Sequence, residues 1–413
     1  MLVKGGTVLN GEVATSGAKN AALPLLFSTL LAEGEHVFHN VPILKDVEST
    51  CELLSYLGCD VFRDGHTLKI KVKKPAETVA QYDVVRKMRA STLCMGPLLT
   101  KYGSAQVSLP GGCAIGTRPI NYHLEGFKAL GADIKIEKGY VLAEAKKLIG
   151  DTIIFETPSV GATENLLMAA SLADGETTIE NAAKEPEVVD LANYLNKMGA
   201  KITGAGTSII KITGVNSLKP AEHHIIADRI EAGTLLIAGA ITKGEVTVTN
   251  CNSRDLEALT IKMKESGFKL SIDDSSMTIH KTSGWQGVDI TTAPHPAFPT
   301  DLQAQFMALM TLAEGTSVIS ETVFENRFMH VQELSRLGAD ITPKTRVAIV
   351  RGKNKLIGAP VMATDLRASA CLVLAGLVAE GETLVNRIYH LDRGYERLEE
   401  KLTKIGANIS RFT

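Results

Sequence analysis

The sequence contains six copies of one unit, and this internal repetition constrains its fold more than any other feature. Each copy consists of an apolar helix rich in small residues, then a glycine, then a segment with the pattern of a β-strand. Successive glycines are separated by 69, 72, 69, 71 and 66 residues; they are Gly34, Gly103, Gly175, Gly244, Gly315 and Gly381. Six copies at a near-constant spacing lie far beyond chance, so the chain is built from repeats of about 70 residues.

We call this helix–glycine–strand motif the first phrase. A second motif, the second phrase, follows it in every copy, and there the end of a helix leads through a glycine into a strand. Its glycines are Gly58, Gly131, Gly199, Gly267, Gly338 and Gly406. Each of them fits a left-handed C-cap that precedes an extended segment. A unit therefore consists of a helix, a strand, a second helix and one or two further strands. It is too long for a small solenoid repeat, which favours two globular α/β domains of three units each.

Polar residues gather where the first helix of each unit begins, 13 to 15 residues before the first glycine. These starts are Ser16–Asn20, Lys87–Ser91, Ser159–Thr163, Asp228–Glu231, Thr300–Gln303 and Thr364–Arg367. Ser, Thr and Asp are typical N-cap residues, and helix N-termini attract anions. If rotation relates the units and the two domains face each other, six helix N-termini point into one cleft. We expect an anion site there, reinforced by Lys19, Arg89 and Arg367.

A glycine- and proline-rich loop, Leu109–Pro119, carries a cysteine five residues before an arginine. Its glycines allow backbone N–H groups to face a ligand, and Arg118 can hold a carboxylate or phosphate through two hydrogen bonds. The same cation would lower the pKa of the Cys113 thiol and make it a better nucleophile or acid. Considered alone, the loop also fits a surface turn that holds an unreactive cysteine.

Composition excludes several classes of protein. The 413 residues are 45% hydrophobic and 22% charged, with a formal net charge of −2, so sequence-nonspecific binding of nucleic acid is not expected. The six cysteines form no C-x-x-C pair or Cys/His cluster, which favours reduced thiols and no metal. The N-terminus has no apolar export segment, and no apolar stretch is long enough to cross a bilayer. We expect a cytoplasmic protein.

Motifs along nearly the whole chain resemble one family closely, the enolpyruvyl transferases that act on UDP-N-acetylglucosamine. In order these motifs are SGAKNAALP (Ser16–Pro24), MRAS (Met88–Ser91), LPGGCAIGTRP (Leu109–Pro119), ENAAKEPEVVDLANYL (Glu180–Leu195), TAPHPAFPTDLQAQ (Thr292–Gln305), ETVFENRFMHVQEL (Glu321–Leu334), ATDLRASA (Ala363–Ala370) and RIYHLDRGYERLEEKL (Arg387–Leu402). The resemblance implies an inside-out α/β barrel of two domains, each of three βαβαββ units. It also implies that the chain enters one domain, builds the other and returns. One domain would then span residues 20–227 and the other 1–19 plus 228–413, with the active site in the cleft between them.

The resemblance further implies the first committed step of peptidoglycan synthesis. The enolpyruvyl group of phosphoenolpyruvate would pass to the sugar 3-hydroxyl by addition and elimination, with release of phosphate. Cations for the phosphate and carboxylate would be Lys19, Arg118 and Arg393, with Arg327 and Arg367 in the same pocket. Cys113 would deliver a proton to the methylene carbon, and it corresponds to the cysteine that fosfomycin attacks in the family. No dissociable cofactor is expected.

Two aspartates are candidates for proton transfer from the sugar hydroxyl. Asp301 starts a helix within a proline-bracketed turn and is the better candidate, although a carboxylate is a weak base unless it is desolvated or bonded to the hydroxyl in the transition state. Asp365 sits at the equivalent helix start one unit later and would support the transfer. For both residues ordinary N-capping is the competing interpretation.

Other positions match the family's contacts to the sugar nucleotide or phosphoenolpyruvate. These are Asn20, Arg89, Ser159, Val160, Gly161, Asp301 and Val323. The uridine side corresponds to Arg118, Pro119, Ile120, Asn121 and Tyr122, where Pro119 and Tyr122 would offer an apolar face to the base. Simple packing of Tyr122 is an equally good interpretation.

Two alternatives stay open from the sequence. The first is the sister enzyme that acts on shikimate 3-phosphate, which shares the chemistry but lacks the PGGC loop. The second is a non-catalytic paralogue that binds sugar nucleotides, which would keep the uridine contacts and lose the proton-transfer residues. Cys113 argues against the first alternative, and the presence together of Cys113, Asp301, Lys19 and Arg393 argues against the second. The sequence does not specify an oligomeric state.

Overall fold

The structure, a computed structural model, describes residues 1–73, 78–80, 89–109 and 120–412. These residues form two compact units. The terminal unit contains both chain ends, residues 1–16 and 227–412, and the inserted unit contains the described residues between 17 and 226. The sequence-based boundaries, 20–227, differ from these by three residues at one end and one at the other. Residues 17–19 belong to the inserted unit because the Ala18 N–H donates to the Ile226 carbonyl, 2.8 Å away.

The described residues form 24 strands and 12 α-helices. The strands are β1 (Leu2–Lys4), β2 (Asn10–Ala14), β3 (Gly34–His39), β4 (Asp60–Asp64), β5 (Thr67–Val72), β6 (Val79–Ala80), β7 (Ser104–Ser108), β8 (Asp133–Glu137), β9 (Tyr140–Glu144), β10 (Thr152–Ile154), β11 (Glu176–Glu180), β12 (Lys201–Thr203), β13 (Ile209–Thr213), β14 (Glu222–His224), β15 (Glu245–Thr249), β16 (Leu270–Ile272), β17 (Ser276–Ile279), β18 (Ile290–Thr291), β19 (Thr316–Ser320), β20 (Asp340–Pro343), β21 (Val347–Arg351), β22 (Pro360–Met362), β23 (Glu382–Asn386) and β24 (Asn408–Ser410). The helices are α1 (Lys19–Ser28), α2 (Lys45–Tyr56), α3 (Met95–Tyr102), α4 (Asn121–Ala129), α5 (Val160–Ala170), α6 (Pro186–Lys197), α7 (Arg229–Ile241), α8 (Glu257–Glu265), α9 (Gln303–Met310), α10 (His330–Arg336), α11 (Leu366–Val378) and α12 (Leu398–Lys404).

The strands form six four-stranded sheets of one topology, three in each unit. In every sheet an edge strand pairs in parallel with its neighbour, and the other two pairings are antiparallel. The inserted unit has the orders β14-β3-β5-β4, β6-β7-β9-β8 and β10-β11-β13-β12. The terminal unit has the orders β2-β15-β17-β16, β18-β19-β21-β20 and β22-β23-β1-β24. One edge strand, a helix, a strand, a second helix and two strands make each copy, the βαβαββ unit expected from the resemblance.

Three sheets are completed by strands from distant parts of the sequence. Strand β1 fills the last repeat of the terminal unit, where Leu2 lies opposite Leu384 and Ser410. Strand β2 supplies the parallel edge beside β15, and β14 supplies the edge beside β3. Three of the six repeats therefore take one strand from a distant part of the chain, which leaves the terminal unit after Ser16 and returns to it at Ala227.

One helix of each repeat lies in the core of its unit, so helices are inside and sheets are outside. In the terminal unit all eight residues of α9 are buried, and so are Ile230–Ile241 of α7 and Arg367–Leu377 of α11. These three helices contact one another. Helices α1, α3 and α5 are the apolar counterparts in the inserted unit, and α5 contacts both of the others. A helix that is apolar on all sides is stable only when it is surrounded by protein.

The second helix of each repeat is amphipathic and ends in the same way. In α8 the Gly267 N–H donates to the Lys264 carbonyl at 2.9 Å, and the Phe268 N–H donates to the Met263 carbonyl at 3.0 Å. This is a Schellman motif, which needs a left-handed residue, and Gly267 has φ +98°. The same pair of bonds and a positive φ recur at all six glycines of the second phrase, which confirms the predicted C-caps.

We predict that Gly267→Ala destabilises the protein and that Gly284→Ala does not. Both sites have room for a methyl group, since no surrounding atom lies within 4 Å of the place that a Cβ would take, but only Gly267 has a positive φ. An alanine in the left-handed region costs about 1–2 kcal/mol. Urea unfolding of both variants measures this difference within one unit, and equal midpoints would contradict it.

Candidate active site

Asp301 lies between two arginine side chains in the terminal unit. It belongs to the short 3₁₀ turn Thr300–Leu302 that leads into α9. Arg327 Nη2 donates to Asp301 Oδ1 at 2.8 Å, and Arg367 Nη2 donates to Oδ2 at 2.7 Å. The fold thus brings together three residues that the resemblance assigned to one pocket, although they are up to 66 residues apart in sequence.

The two arginines of this cluster are more deeply buried than the aspartate. Arg367 and Arg327 are 4% and 5% exposed, and the Asp301 side chain is 25% exposed. Burial is the largest single effect and lowers the pKa of Arg367, but the attractions of Asp301, Tyr395 and Asp228 together raise it above its ordinary value. Arg367 Nη1 is buried without a hydrogen-bond partner among the described residues. A buried guanidinium donor without a partner favours binding of an anion, since arginine N–H groups form strong hydrogen bonds to carboxylates and phosphates.

Each arginine also stacks on an aromatic ring. The Arg367 guanidinium carbon lies 5.4 Å from the centroid of the Tyr395 ring, and that of Arg327 lies 5.1 Å from the Phe324 ring. Cation–π contacts and the bonds to Asp301 fix the planes of both guanidinium groups. The two cations are therefore held in defined orientations.

Asp365 caps helix α11. Its Oδ1 accepts the N–H groups of Arg367 and Ala368 at 2.9 and 3.0 Å. The cap places Arg367 in the first turn, where its side chain reaches Asp301. For Asp365 the capping interpretation is thus confirmed, whereas for Asp301 the side chain binds the arginines and makes no capping bond to α9.

Among the other predicted N-cap residues, two cap their helices and one has a different role. Ser159 and Asp228 cap α5 and α7, as expected. The prediction is wrong at Ser16, because α1 is preceded by Ala18 and has no side-chain cap. The Ser16 hydroxyl instead accepts from Lys401 Nζ, and its N–H donates to the buried Glu231. Ser16 is the last residue before the chain leaves the terminal unit, so these bonds fix that crossing point.

In the inserted unit Lys19 opens α1 and lies near a buried acid. Its Nζ is 3.5 Å from Asp46 Oδ2, in the first turn of α2, and Asp46 is 4% exposed. The next residue, Asn20, is half-buried at the same helix end. An ion pair across two helix N-termini holds the lysine at a position where helix dipoles favour anions.

A second group of predicted residues surrounds the start of α5. Ser159 Oγ accepts the Ala162 N–H at 3.4 Å, and Val160 and Gly161 form the first turn. Helix α4, which begins at Asn121 after Ile120, contacts α5.

The Tyr122 ring packs on Phe155 at 5.3 Å between centroids, and its hydroxyl lies 3.1 Å from Thr157 Oγ1. Packing is thus a confirmed role of Tyr122, which also lines a cavity of about 180 Å³.

The remaining predicted site residues lie partly outside the described part of the chain. Cys113, Arg118 and Pro119 lie outside the described residues, as does the side chain of Arg89. Val323 is 38% exposed after β19, and Arg393 is half-buried at the end of the 3₁₀ turn Ile388–Arg393. The described cysteines, Cys51, Cys59, Cys94, Cys251 and Cys371, are free thiols.

The sequence analysis missed two buried residues beside Asp301 and its arginines. Glu321 is 1% exposed and accepts a hydrogen bond from Thr300, the neighbour of Asp301. His330 is also 1% exposed, and burial lowers its pKa to about 4, so the ring is neutral at pH 7 beside Arg327 and Asp365. Nothing in the sequence marks His330, because only packing removes it from water. Glu321 does carry a signal, because three other repeats have asparagine at the equivalent position.

The described part of the chain contains no group of three or more His, Cys, Asp or Glu side chains that could hold a metal ion. None of its helices combines the length and apolar character needed to cross a membrane.

Comparison with known sequences shows similarity over the full length. The EPSP synthase (3-phosphoshikimate 1-carboxyvinyltransferase) family model matches residues 3–402. A Bdellovibrio bacteriovorus protein named UDP-N-acetylglucosamine 1-carboxyvinyltransferase is 69% identical over 413 residues, which is all of both chains. A Myxococcus xanthus protein of the same name is 56% identical over 414 residues, covering 100% of this chain and 99% of its own.

Solved structures share the fold. The enolpyruvyl transferase NikO from Streptomyces tendae superposes with a TM-score of 0.89 at 26% identity, over 99% of this chain and 98% of its own. EPSP synthase from Acinetobacter baumannii gives a TM-score of 0.76 at 19% identity over 99% of both chains, a likeness of fold alone. The repeat, the two inside-out α/β units and these matches lead to one conclusion: the chain belongs to the EPSP synthase family.

Proposed function

We propose that this protein transfers the enolpyruvyl group of phosphoenolpyruvate to the 3-hydroxyl of UDP-N-acetylglucosamine and releases phosphate. The observation that carries the proposal is Asp301 held between Arg327 and Arg367. That arrangement offers a base for a hydroxyl and cations for a substrate that carries a phosphate and a carboxylate. Relatives at 55–69% identity over the full length bear the name of this activity.

The reaction needs two proton transfers in its addition step. The sugar 3-hydroxyl oxygen attacks C2 of phosphoenolpyruvate while its proton passes to Asp301, and C3 gains a proton from Cys113. In the elimination step C3 gives a proton to the Cys113 thiolate and the C2–O bond to phosphate breaks, which restores the double bond in the product, while the proton held by Asp301 leaves with the phosphate. A carboxylate has about four lone-pair sites, so Asp301 can accept the hydroxyl while two are used by the arginines.

The remaining residues are proposed to bind the two substrates. Lys19, Arg118 and Arg393 would hold phosphoenolpyruvate with Arg327 and Arg367, since several cations are needed to offset its charge. Asp365 would support proton transfer by keeping Arg367 in the first turn of α11. The sugar nucleotide would contact Asn20, Arg89, Pro119, Ile120, Asn121, Tyr122, Ser159, Val160, Gly161 and Val323.

Peptidoglycan synthesis in the cytoplasm is the process we propose for this activity. Its sugar-nucleotide precursors and phosphoenolpyruvate are small, charged molecules that do not cross membranes unaided. The names of the full-length relatives support the same process.

For this activity we predict first that phosphate release from phosphoenolpyruvate requires UDP-N-acetylglucosamine and is nearly lost in Cys113→Ala. Phosphate is measured with and without the sugar nucleotide. Release driven instead by shikimate 3-phosphate would assign the sister activity. No release with either acceptor, together with intact binding of the sugar nucleotide, would identify a non-catalytic paralogue.

The second prediction is that Asp301→Asn lowers kcat by about 10²–10⁴-fold, the usual contribution of a positioned base. The amide can still accept a hydrogen bond but cannot take the hydroxyl proton. Asp340→Asn is the matched control, because Asp340 also holds two cations in the same unit, Arg351 and Lys353 at 3.4 Å each. Steady-state kinetics of both variants test the assignment, and equal kcat values for them would exclude Asp301 as the base.

A further inference from the structure

Glu321 is a buried carboxylate that binds two separate loops. Its Oε1 accepts the Thr292 hydroxyl at 2.8 Å and the N–H groups of Val323 and Phe324 at 2.8 and 3.1 Å. Its Oε2 accepts the Thr300 hydroxyl at 2.8 Å. Four donors thus converge on one side chain that is 1% exposed. Glu321 forms no ion pair within the described part of the chain, so these hydrogen bonds stabilise its charge.

In three of the six repeats the equivalent position has a different task. Six residues after the first-phrase glycine, three repeats carry an asparagine with φ between 54° and 58°. Each asparagine donates its Nδ2 to the carbonyl that directly follows the edge strand of its sheet. These pairs are Asn40 with Ile225 at 2.9 Å, Asn181 with Phe155 at 2.9 Å and Asn250 with Thr15 at 2.7 Å. In these three repeats the asparagine side chain thus hydrogen-bonds the end of its own strand to the end of the neighbouring edge strand.

Glu321 occupies this position in the repeat that contains Asp301. A carboxylate cannot donate, so it cannot make the asparagine bond, yet it still contacts the residue after the edge strand, because Thr292 follows β18. Its longer side chain also reaches Thr300. The bond to the strand-end carbonyl is made here by the neighbouring Thr322 hydroxyl, which donates to the Thr292 carbonyl at 2.5 Å, while Glu321 adds a link to the turn that carries Asp301.

That link continues to the arginine pair. The Thr300 hydroxyl donates to Glu321 and accepts from Arg327 Nη1 at 3.3 Å, while Arg327 Nη2 binds Asp301. On its other side, Glu321 fixes the backbone at Val323, in the loop that leads to Arg327. One carboxylate thus joins the segment of Asp301 to the segment of Arg327.

We propose that Glu321 is a positioning residue for enolpyruvyl transfer: its carboxylate sets the Thr300 hydroxyl and the Val323–Phe324 backbone, and through them the placement of Arg327 against Asp301. This inference rests on the proposed function for its kinetic consequence and on the contacts alone for the anchoring. Glu321 does not touch the reacting atoms.

The variant Glu321→Gln distinguishes the roles of the two carboxylate oxygens, because it keeps one acceptor oxygen and replaces the other with an NH₂ group. Because three donors meet at Oε1, the amide oxygen takes that place and the NH₂ group faces Thr300. The threonine hydroxyl then meets two donors and its own proton loses its acceptor. We expect kcat to fall about tenfold or more, the effect of one charge-assisted hydrogen bond, with KM for UDP-N-acetylglucosamine within about twofold because the Val323 amide keeps its acceptor.

Thr300→Val provides an independent variant that removes the same hydrogen bond from the other side. It should also lower kcat, and the double variant Glu321→Gln/Thr300→Val should be no slower than the slower single variant, since both changes act on one bond. The structural control is Asn196→Ala, in which a side chain that binds the Ile202 backbone through both its amide atoms is lost. That variant should lose stability and keep its kcat.

Hydrogen exchange in the substrate-free full-length chain tests the anchoring without any turnover. Peptides that cover residues 321–326 should exchange faster in Glu321→Ala and at the native rate in Glu321→Gln. If the native protein does not turn over, the proposed function fails, and exchange alone decides whether Glu321 anchors the loop. The inference is overturned if exchange is unchanged in Glu321→Ala, if Glu321→Gln keeps a native kcat, or if the two kinetic effects add.

Discussion

The burial of one apolar helix per repeat is the constraint on which the rest of the structure depends. Helices such as α9, with every residue buried, have no polar face to offer to water. Three such helices bury part of their apolar surface against one another at the centre of a unit, and sheets must cover the apolar surface that remains on the outside. The outer helices and the twisted four-stranded sheets provide that cover, and each sheet packs its alternating apolar residues inward. Three repeats per unit follow from this need, since one repeat alone leaves its central helix exposed.

The same arrangement explains where polar chemistry can occur. A helix that is apolar along its length can carry charged groups only near its ends, where backbone N–H groups lack intrahelical partners. Lys19 opens α1, Asp301 lies in the turn before α9 and Arg367 stands in the first turn of α11. The charges are buried with the helices, so they must pair, as Arg367 does with Asp301. The proposed function thus uses positions that the fold already leaves polar.

The pattern of the repeat is broken at Glu321, the residue proposed to position Arg327. Asn40, Asn181 and Asn250 perform one structural task at equivalent positions, with the same conformation and the same kind of acceptor. Glu321 keeps a contact to the neighbouring strand end and extends it toward Thr300. Internal symmetry therefore acts as a reference: a residue that breaks it in one copy, and is fully bonded there, has a local reason to differ.

The sequence by itself determined the features that depend on neighbouring residues. The six-fold repeat is visible as a pattern that recurs along the sequence. The Schellman glycines such as Gly267 and the caps at Ser159 and Asp365 arise within one helical turn, so local patterns predicted them. Tertiary structure alone decided the features that join distant segments: β1 beside β23, Arg367 on Asp301, Ser16 bound to Glu231 instead of capping α1, and Glu321 under Thr300. No local pattern encodes these, because sheet pairing and buried hydrogen bonds are set by which side chains the packed core brings within about 3 Å of each other.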